Sequence, residues 1–205
     1  MGPKPETTDA RCDGLSHEAV RPQRADALRN RARVLEAAEV VFAAEGLAVP
    51  VDVIAEKAGV GVGTLYRHFP TKEKLFEAIL LERITEVTHD ARARLECDDP
   101  GSAFFGFLEH LVEESVLKRD LIMALADAGI EFEVAVADAK QDLEAAVNDL
   151  LQAAQRVGAV RADVTSAIVL SLIGATCMAT DRPPHLGVQA CDMLAIVCDG
   201  LRATS

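Results

Sequence analysis

The densest chemistry in this 205-residue chain sits in Thr64, Tyr66, Arg67 and His68. They bring together a hydroxyl, a phenol, a guanidinium and an imidazole, and Tyr66 is the chain's one tyrosine. All four groups can donate hydrogen bonds to phosphate oxygens or to base edges. The interleaved Leu65 and Phe69 stand at i, i+4, the spacing of two side chains on one face of a helix. A short helix starting near Gly63 and stopping before Pro70 would therefore pack through those two and turn the polar set outward. A seven-residue polar helix serves equally well as a surface connector, so its surroundings decide between the two readings.

The surroundings are helical. Val34, Leu35, Ala38, Val41 and Phe42 recur on one face of a helix predicted over Arg24–Glu45 and ended by Gly46. A second, over Val51–Ala58, starts after Pro50, where a first-turn proline is tolerated, and stops at Gly59. The turn Gly59-Val60-Gly61-Val62 then leads into the polar helix. Helix, tight turn, helix is the arrangement that most often reads DNA, because a major groove ~12 Å wide admits one helix. Thr71 caps a long helix with Leu75, Phe76, Ile79, Leu80, Ile84, Val87, Ala91 and Leu95 on one stripe. It outreaches one small domain and is read as a strut. Beyond Asp98–Gly101, helices are expected near 101–117, 119–128, 131–157, 164–180 and 187–203. No repeat and no useful strand-like alternation appears, so the expected class is all-α. The expected division is a disordered tail at 1–20, a three-helix head at 21–75, and a second helical domain at 76–205.

The charge distribution bears on partners. The whole chain carries a formal net charge of −12, which by itself discourages a nucleic-acid reading. Residues 1–80 hold only −1 of that total and residues 81–205 the other −11. Within the first part Arg21, Arg24, Arg29, Arg31 and Arg33 crowd together against Asp26 alone. The first twenty residues have no apolar core of a signal peptide, and the longest uncharged run, Val164 to Thr180, falls short of the ~20 residues of a membrane span. Five scattered cysteines without a CxxC read as thiols in a reducing cytosol. Gly59, Gly61 and Gly63 lack the preceding strand of a dinucleotide loop, and the five histidines lack metal-ligand spacing. No nucleophile has a recognisable base partner, so neither an enzyme nor a cofactor or metal is expected.

The stretch VLEAAEVVFAAEG followed by VDVIAEKAGVGVGTLYRHFPTKEKLF, within Arg33–Phe76, resembles the DNA-binding domain of the TetR family of transcriptional regulators. The similarity covers about fifty consecutive residues, including AGV-x-x-GTLYRHFPTKE-x-L. It implies that Thr64, Tyr66 and His68 take phosphate- and groove-contacting positions on a recognition helix. Lys72 takes that of a phosphate-binding lysine at a helix N-terminus. Val62 and Gly63 fall on the base-facing edge, where Arg67 and thymine-methyl contacts would carry more of the readout. Arg21, Arg24 and Arg29 resemble a basic arm that enters a minor groove, although Arg21 reads equally as a solvated charge. Pro50 departs from the family's capping Ser or Thr, which puts that phosphate contact in doubt.

In the acidic half, Val164–Thr180 is apolar nearly all round, and a helix of that kind must be covered on both faces. The last helix carries two apolar stripes, Val188, Cys191, Ala195 and Cys198 on one and Met193, Ile196 and Val197 on the other. A homodimer through Ile168, Leu172, Ala175, Val188, Cys191, Ala195 and Cys198 is expected, the alternative being a monomer with both helices central. The family comparison also implies a pocket for a small-molecule inducer. Phe104, Phe105, Leu108, Val112 and Met123 are its candidate lining, though each also fits an ordinary core. Glu109 lies about 40° round the helix from Phe105 and about 60° from Val112, at the border of the apolar face. If buried there it would need a partner, which points to a cationic or amine-bearing ligand; a solvated Glu109 is the plain alternative. Together these readings describe a regulator, expected to be a repressor, that binds a double-stranded palindromic operator as a dimer. A helical adaptor that binds protein and never DNA is the rival from another class.

Overall fold

In the computed structural model, residues 20–117, 133–179 and 189–203 are described. They form α1 (Val20–Glu45), α2 (Val51–Ala58), α3 (Val62–His68), α4 (Lys72–Arg94), α5 (Pro100–Leu117), α6 (Glu133–Arg156), α7 (Ser166–Ala179) and α8 (Ala190–Leu201). Among the described residues there is no strand, only an isolated antiparallel bridge between Val160 and Arg202. The all-α class is as expected. The tail at 1–19, the helix expected at 119–128, Met123 and Val188 lie outside the described residues.

Two separate cores organise the chain. The first joins Val34, Leu35, Ala38, Val41 and Phe42 of α1 to Ile54, Ala55 and Ala58 of α2, Leu65 of α3, and Leu75, Phe76 and Ile79 of α4. Phe42 and Phe76 meet with ring centroids 4.8 Å apart and planes tilted by 55°, a favourable aromatic pair. The second core gathers Phe104, Phe107, Leu108 and Val112 of α5 with Val147, Leu150, Leu151 and Ala154 of α6. Val169 and Ile173 of α7 and Leu194, Cys198 and Leu201 of α8 close it.

Helix α4 belongs to both. Its N-cap Thr71 accepts from the Lys74 amide at 3.2 Å, and Leu75, Phe76, Ala78 and Ile79 then enter the first core. Ala91, more than three turns further on, enters the second. The first core therefore runs past residue 75, the expected boundary, by a full turn of α4. Thr88, buried between the two, returns its hydroxyl to the Ile84 carbonyl at 2.7 Å, so no polar group is stranded along the strut.

Around the second core the ends are tied by backbone. Ala203 donates to Ala159 at 3.2 Å and Arg161 to Leu201 at 3.0 Å. A Cβ at Gly101 would lie 2.8 Å from that of Ala159, so α5 can approach this turn only through a glycine.

Candidate functional site

The turn between α2 and α3 is built from backbone. Gly59 ends α2 in the left-handed conformation (φ 64°, ψ 37°), which costs an L side chain about 1–2 kcal/mol. Its amide and that of Val60 return to the carbonyls of Glu56 and Ala55, both at 3.0 Å, closing the helix end. Gly61 is extended (φ −67°, ψ 143°), and its carbonyl takes the amides of Thr64 at 2.8 Å and Leu65 at 3.1 Å, starting α3. Two arginines of the basic run brace the motif, one at each end of α3. Arg33 donates to the Gly59 carbonyl at 3.2 Å, and the Arg31 guanidinium lies 5.5 Å from the centre of the Phe69 ring. The sequence reading noticed their charge but missed these tasks, because carbonyl acceptors leave no trace in residue types.

Leu65 and Phe69 are buried, as the i, i+4 reading required. Val62, Gly63, Tyr66 and Arg67 are exposed, with Tyr66 at 46% of its surface, while Thr64 and His68 are half-buried beside them. The predicted polar face is thus one continuous outward edge of α3.

Two of the expected DNA contacts are placed differently. Arg24, with Arg21 and Arg29, lies within α1 and not in an extended arm, because α1 begins at Val20 with Pro22 in its tolerant first turn. Arg29 pairs with Asp26. Lys72 points back into the head: its ammonium donates to the carbonyls of Leu47 and, at 2.6 Å, Val49. It also stands 5.6 Å and 6.0 Å from the ring centres of Phe42 and Phe76. Pro50 gives α2 no side-chain cap.

In the second domain, Phe104, Leu108 and Val112 are consumed by the core, the ordinary alternative to a pocket lining. Phe105 and Glu109 reach an open surface groove shared with Asp99, Ser102 and Arg202. Glu109 is exposed, so the premise of a buried, partner-seeking acid does not hold. The cation over Phe105 is the protein's own: the Arg202 guanidinium lies 4.2 Å from the ring centre. A different cleft, of about 350 Å³, opens between α4 and α5. Val87, Phe107 and Leu111 line it together with Arg83, Glu86, Asp90, His110 and Glu114. Arg83 crosses it to Glu114 at 3.0 Å, with both side chains largely covered.

Helices α7 and α8 leave an apolar surface uncovered. Ile168, Leu172 and Ala175 are exposed at i, i+4, i+7 along α7, and Cys191, Ala195 and Ile196 are exposed on α8, Ile196 to 74%. Cys198 is a correction. It faces inward with Ala190, Leu194 and Leu201, about 60° round the helix from Ala195. Burial first, then the nearby Glu109 carboxylate, pushes its thiol pKa up, away from the thiolate that redox chemistry needs. Among the described residues no helix is long and apolar enough to cross a membrane, and no His/Cys/Asp/Glu group could hold a metal ion.

Comparison with known proteins agrees with this geometry. Residues 34–79 match the bacterial regulatory proteins of the tetR family, and residues 99–203 match the C-terminal domain of SbtR-like transcriptional regulators. The HTH-type transcriptional activator FasR of Mycolicibacterium smegmatis is 34% identical over 89 residues, 39% of this chain and 41% of its own. An HTH-type transcriptional regulator of Staphylococcus aureus is 45% identical over 53 residues, 25% of this chain and 29% of its own. This chain thus spans less than half the length of these curated relatives. A crystallised TetR transcription regulatory protein from Mycobacterium vanbaalenii is 42% identical with a TM-score of 0.70, covering 89% of this chain and 100% of that one. A TetR transcriptional regulator of Streptomyces coelicolor follows at 30% and 0.68, covering 85% and 99%. With both domains matched in order, and with a helix-turn-helix whose outward edge is polar, the chain belongs to the TetR family of DNA-binding transcriptional regulators.

Proposed function

We propose that this regulator binds a palindromic operator as a homodimer and releases it when a small molecule occupies the second domain. The observation that carries the reading is the outward edge of α3, where Tyr66 and Arg67 stand exposed beside Thr64 and His68 on a helix anchored from behind. Tyr66, Thr64 and His68 contact phosphates, while Val62, Gly63 and Arg67 face the bases. Nothing lies within 4 Å of a Cβ built at Gly63, so the fold does not need glycine there, whereas close approach to a groove floor does. Arg24, in the first turns of α1, is a further candidate for a phosphate contact.

The uncovered apolar faces of α7 and α8 support self-association. The exposure of Ile168, Leu172, Ala175, Cys191, Ala195 and Ile196 suits contact with symmetry mates. A palindromic operator then asks the two α3 helices to stand roughly one helical turn of DNA, ~34–36 Å, apart. The charge asymmetry fits this arrangement: the strongly negative second domain is repelled by the duplex, so only the nearly neutral heads approach it. The inducer occupies the cleft between α4 and α5, whose volume lies at the lower end of small-molecule sites. The cleft's acids Glu86, Asp90 and Glu114 are paired with Arg83 and Arg94, so a cationic guest must displace one of those guanidinium groups. The inducer acts only through different affinities for the two head spacings.

A gel shift on the DNA flanking the protein's own gene tests the reading. Retardation that weakens with salt and disappears in Tyr66→Ala is expected; equal retardation by the variant refutes it. Mass spectrometry of a co-purified ligand tests the inducer.

A further inference from the structure

The outward edge of α3 divides into three lines when its side chains are set round the helix at about 100° per residue. Leu65 points into the core, and Gly63 and Arg67 each lie about 160° away from it, so the two share the outermost line. Val62 and Tyr66 form one flank, and Thr64 and His68 the other. A helix seated in a major groove turns its outermost line to the base edges and its flanks to the two phosphate backbones. Nothing lies within 4 Å of a Cβ added at Gly63, and the missing side chain there lets the helix settle closer to the groove floor. Arg67 stands exposed one turn further along the same line. Elsewhere in the head, Arg29 pairs with Asp26, Arg31 lies over Phe69, Arg33 donates to Gly59 and Lys74 pairs with Glu77. Among the described residues Arg67 has no such engagement, so its guanidinium is available to a ligand. The seven residues of α3 include no Asn or Gln, which pair with adenine, and no Asp or Glu, which accept from cytosine. Val62 has no polar side-chain atom and offers a thymine methyl only an apolar contact. Guanine is the base whose major-groove edge presents two acceptors, N7 and O6, to a forked donor.

We propose that Arg67 is the specificity-determining residue of α3: its guanidinium donates to N7 and O6 of one guanine in each operator half-site, at a depth set by Gly63. The assignment rests on the operator-binding reading above and deepens it. Hydrogen-bonded base readout by α3 then comes down to one base pair per half-site. The flanks add affinity through phosphates, which carry no sequence information of their own, and the shape of the duplex supplies further selectivity.

The test uses the full chain and a duplex from the region flanking its own gene, with the bound segment located by footprinting. Each guanine of the footprint is replaced in turn by 7-deazaguanine, which pairs normally but lacks the N7 acceptor. At one position in each half-site the replacement should weaken binding by roughly 5-fold or more. Arg67→Met, shown folded by circular dichroism, should bind the natural duplex more weakly by at least that factor and lose nothing further at the same position. The first measurement needs no variant: a footprint in which no guanine is sensitive overturns the assignment. Full affinity in Arg67→Met overturns it too. So does a general loss in Arg67→Met that leaves the variant as sensitive to each 7-deazaguanine as the unmodified protein, the mark of a phosphate contact. If the unmodified protein bound no duplex, the operator reading and this one would fall together. If it bound and no guanine proved coupled to Arg67, only this one would.

Discussion

Leu65 and Tyr66 are neighbours in sequence that face opposite ways, and exchanging each for alanine separates folding from DNA binding. Leu65 is 1% exposed, so Leu65→Ala removes three buried carbons, at ~0.8 kcal/mol each about 2.4 kcal/mol of transfer energy. The cavity adds to this, for a total of roughly 3–4 kcal/mol. Helix α3 has only seven residues and its buried anchors are Leu65 and the adjoining Phe69, so little remains to hold it once Leu65 is cut back. Tyr66→Ala should move stability by only about 0.5 kcal/mol, since nearly half of the side chain is in solvent. Its cost should appear in DNA affinity instead. Losing a hydrogen bond to a charged phosphate is worth ~1.5–3 kcal/mol, or roughly 10- to 150-fold for each head. Urea denaturation followed by circular dichroism reads the first effect. Tyrosine emission gives a direct handle on the second, because the chain has one Tyr and no Trp: the duplex should change the emission of Tyr66 itself. If Tyr66→Ala lost several kcal/mol of stability while Leu65→Ala lost none, α3 would be turned the other way and the site would be gone.

Gly63→Ala should fold normally and melt slightly higher, by up to ~1 kcal/mol from helix propensity, yet bind DNA more weakly; a thermal scan beside a gel shift reads both. Gly59→Ala should lower stability by about 1–2 kcal/mol, because it combines a positive φ with a Cβ only 2.5 Å from the Arg33 guanidinium. Ile196→Asp with Leu172→Glu should leave the protomer folded and shift sedimentation from dimer to monomer, since both side chains are exposed in a single chain. Glu82 carries a carboxyl whose pKa is raised, first by burial and further by Glu86 and Glu39, against the pull of Arg31. Its folded pKa lies above the unfolded one, so the penalty is absent at low pH and sets in as pH rises through the folded value. Glu82→Gln should therefore raise the melting temperature at pH 7, with the gain shrinking as pH falls into the ordinary glutamate range.

What the residues disclosed followed from how local each signal is. Gly59, Thr71 and the Leu65–Phe69 pair announce their turn, cap and packed face within a few positions, and α2, α3 and α4 lie where those marks place them. The start of α1 is hidden because Arg21 and Arg24 are as helix-competent as they are charged, and Pro22 sits where proline does no harm. The inward stripe of α8 was misassigned by about a sixth of a turn. Nearly all of its residues are apolar or small, and periodicity cannot say which of two apolar faces meets its own core. The intramolecular partners of Lys72 and Arg202 leave no mark in residue types for a common reason. Each long cation finds carbonyls or a ring from a distant segment, and only the folded chain shows that those partners are within reach.

The division of α4 between two cores bears on how a ligand could act at all. A helix whose first two turns are locked under α1 and α2 carries the head as a rigid extension of itself. Any displacement imposed near Ala91 must then appear as movement of α3 instead of dissipating at a hinge, because Ile84 and Thr88 keep the intervening turns buried and hydrogen-bonded. One tie between the strut and the second domain, beside its packing on α6, is Arg83 to Glu114, placed about midway along α4 and across the cleft proposed for an inducer. A cationic guest there would compete with Arg83 for Glu114, and its binding would be coupled to the release of α4 by the geometry of one ion pair. Arg83→Met should therefore loosen the strut without ligand, weakening DNA binding and blunting the inducer response together. If the variant bound DNA normally and still responded in full, the coupling would have to run through another contact between α4 and its neighbours.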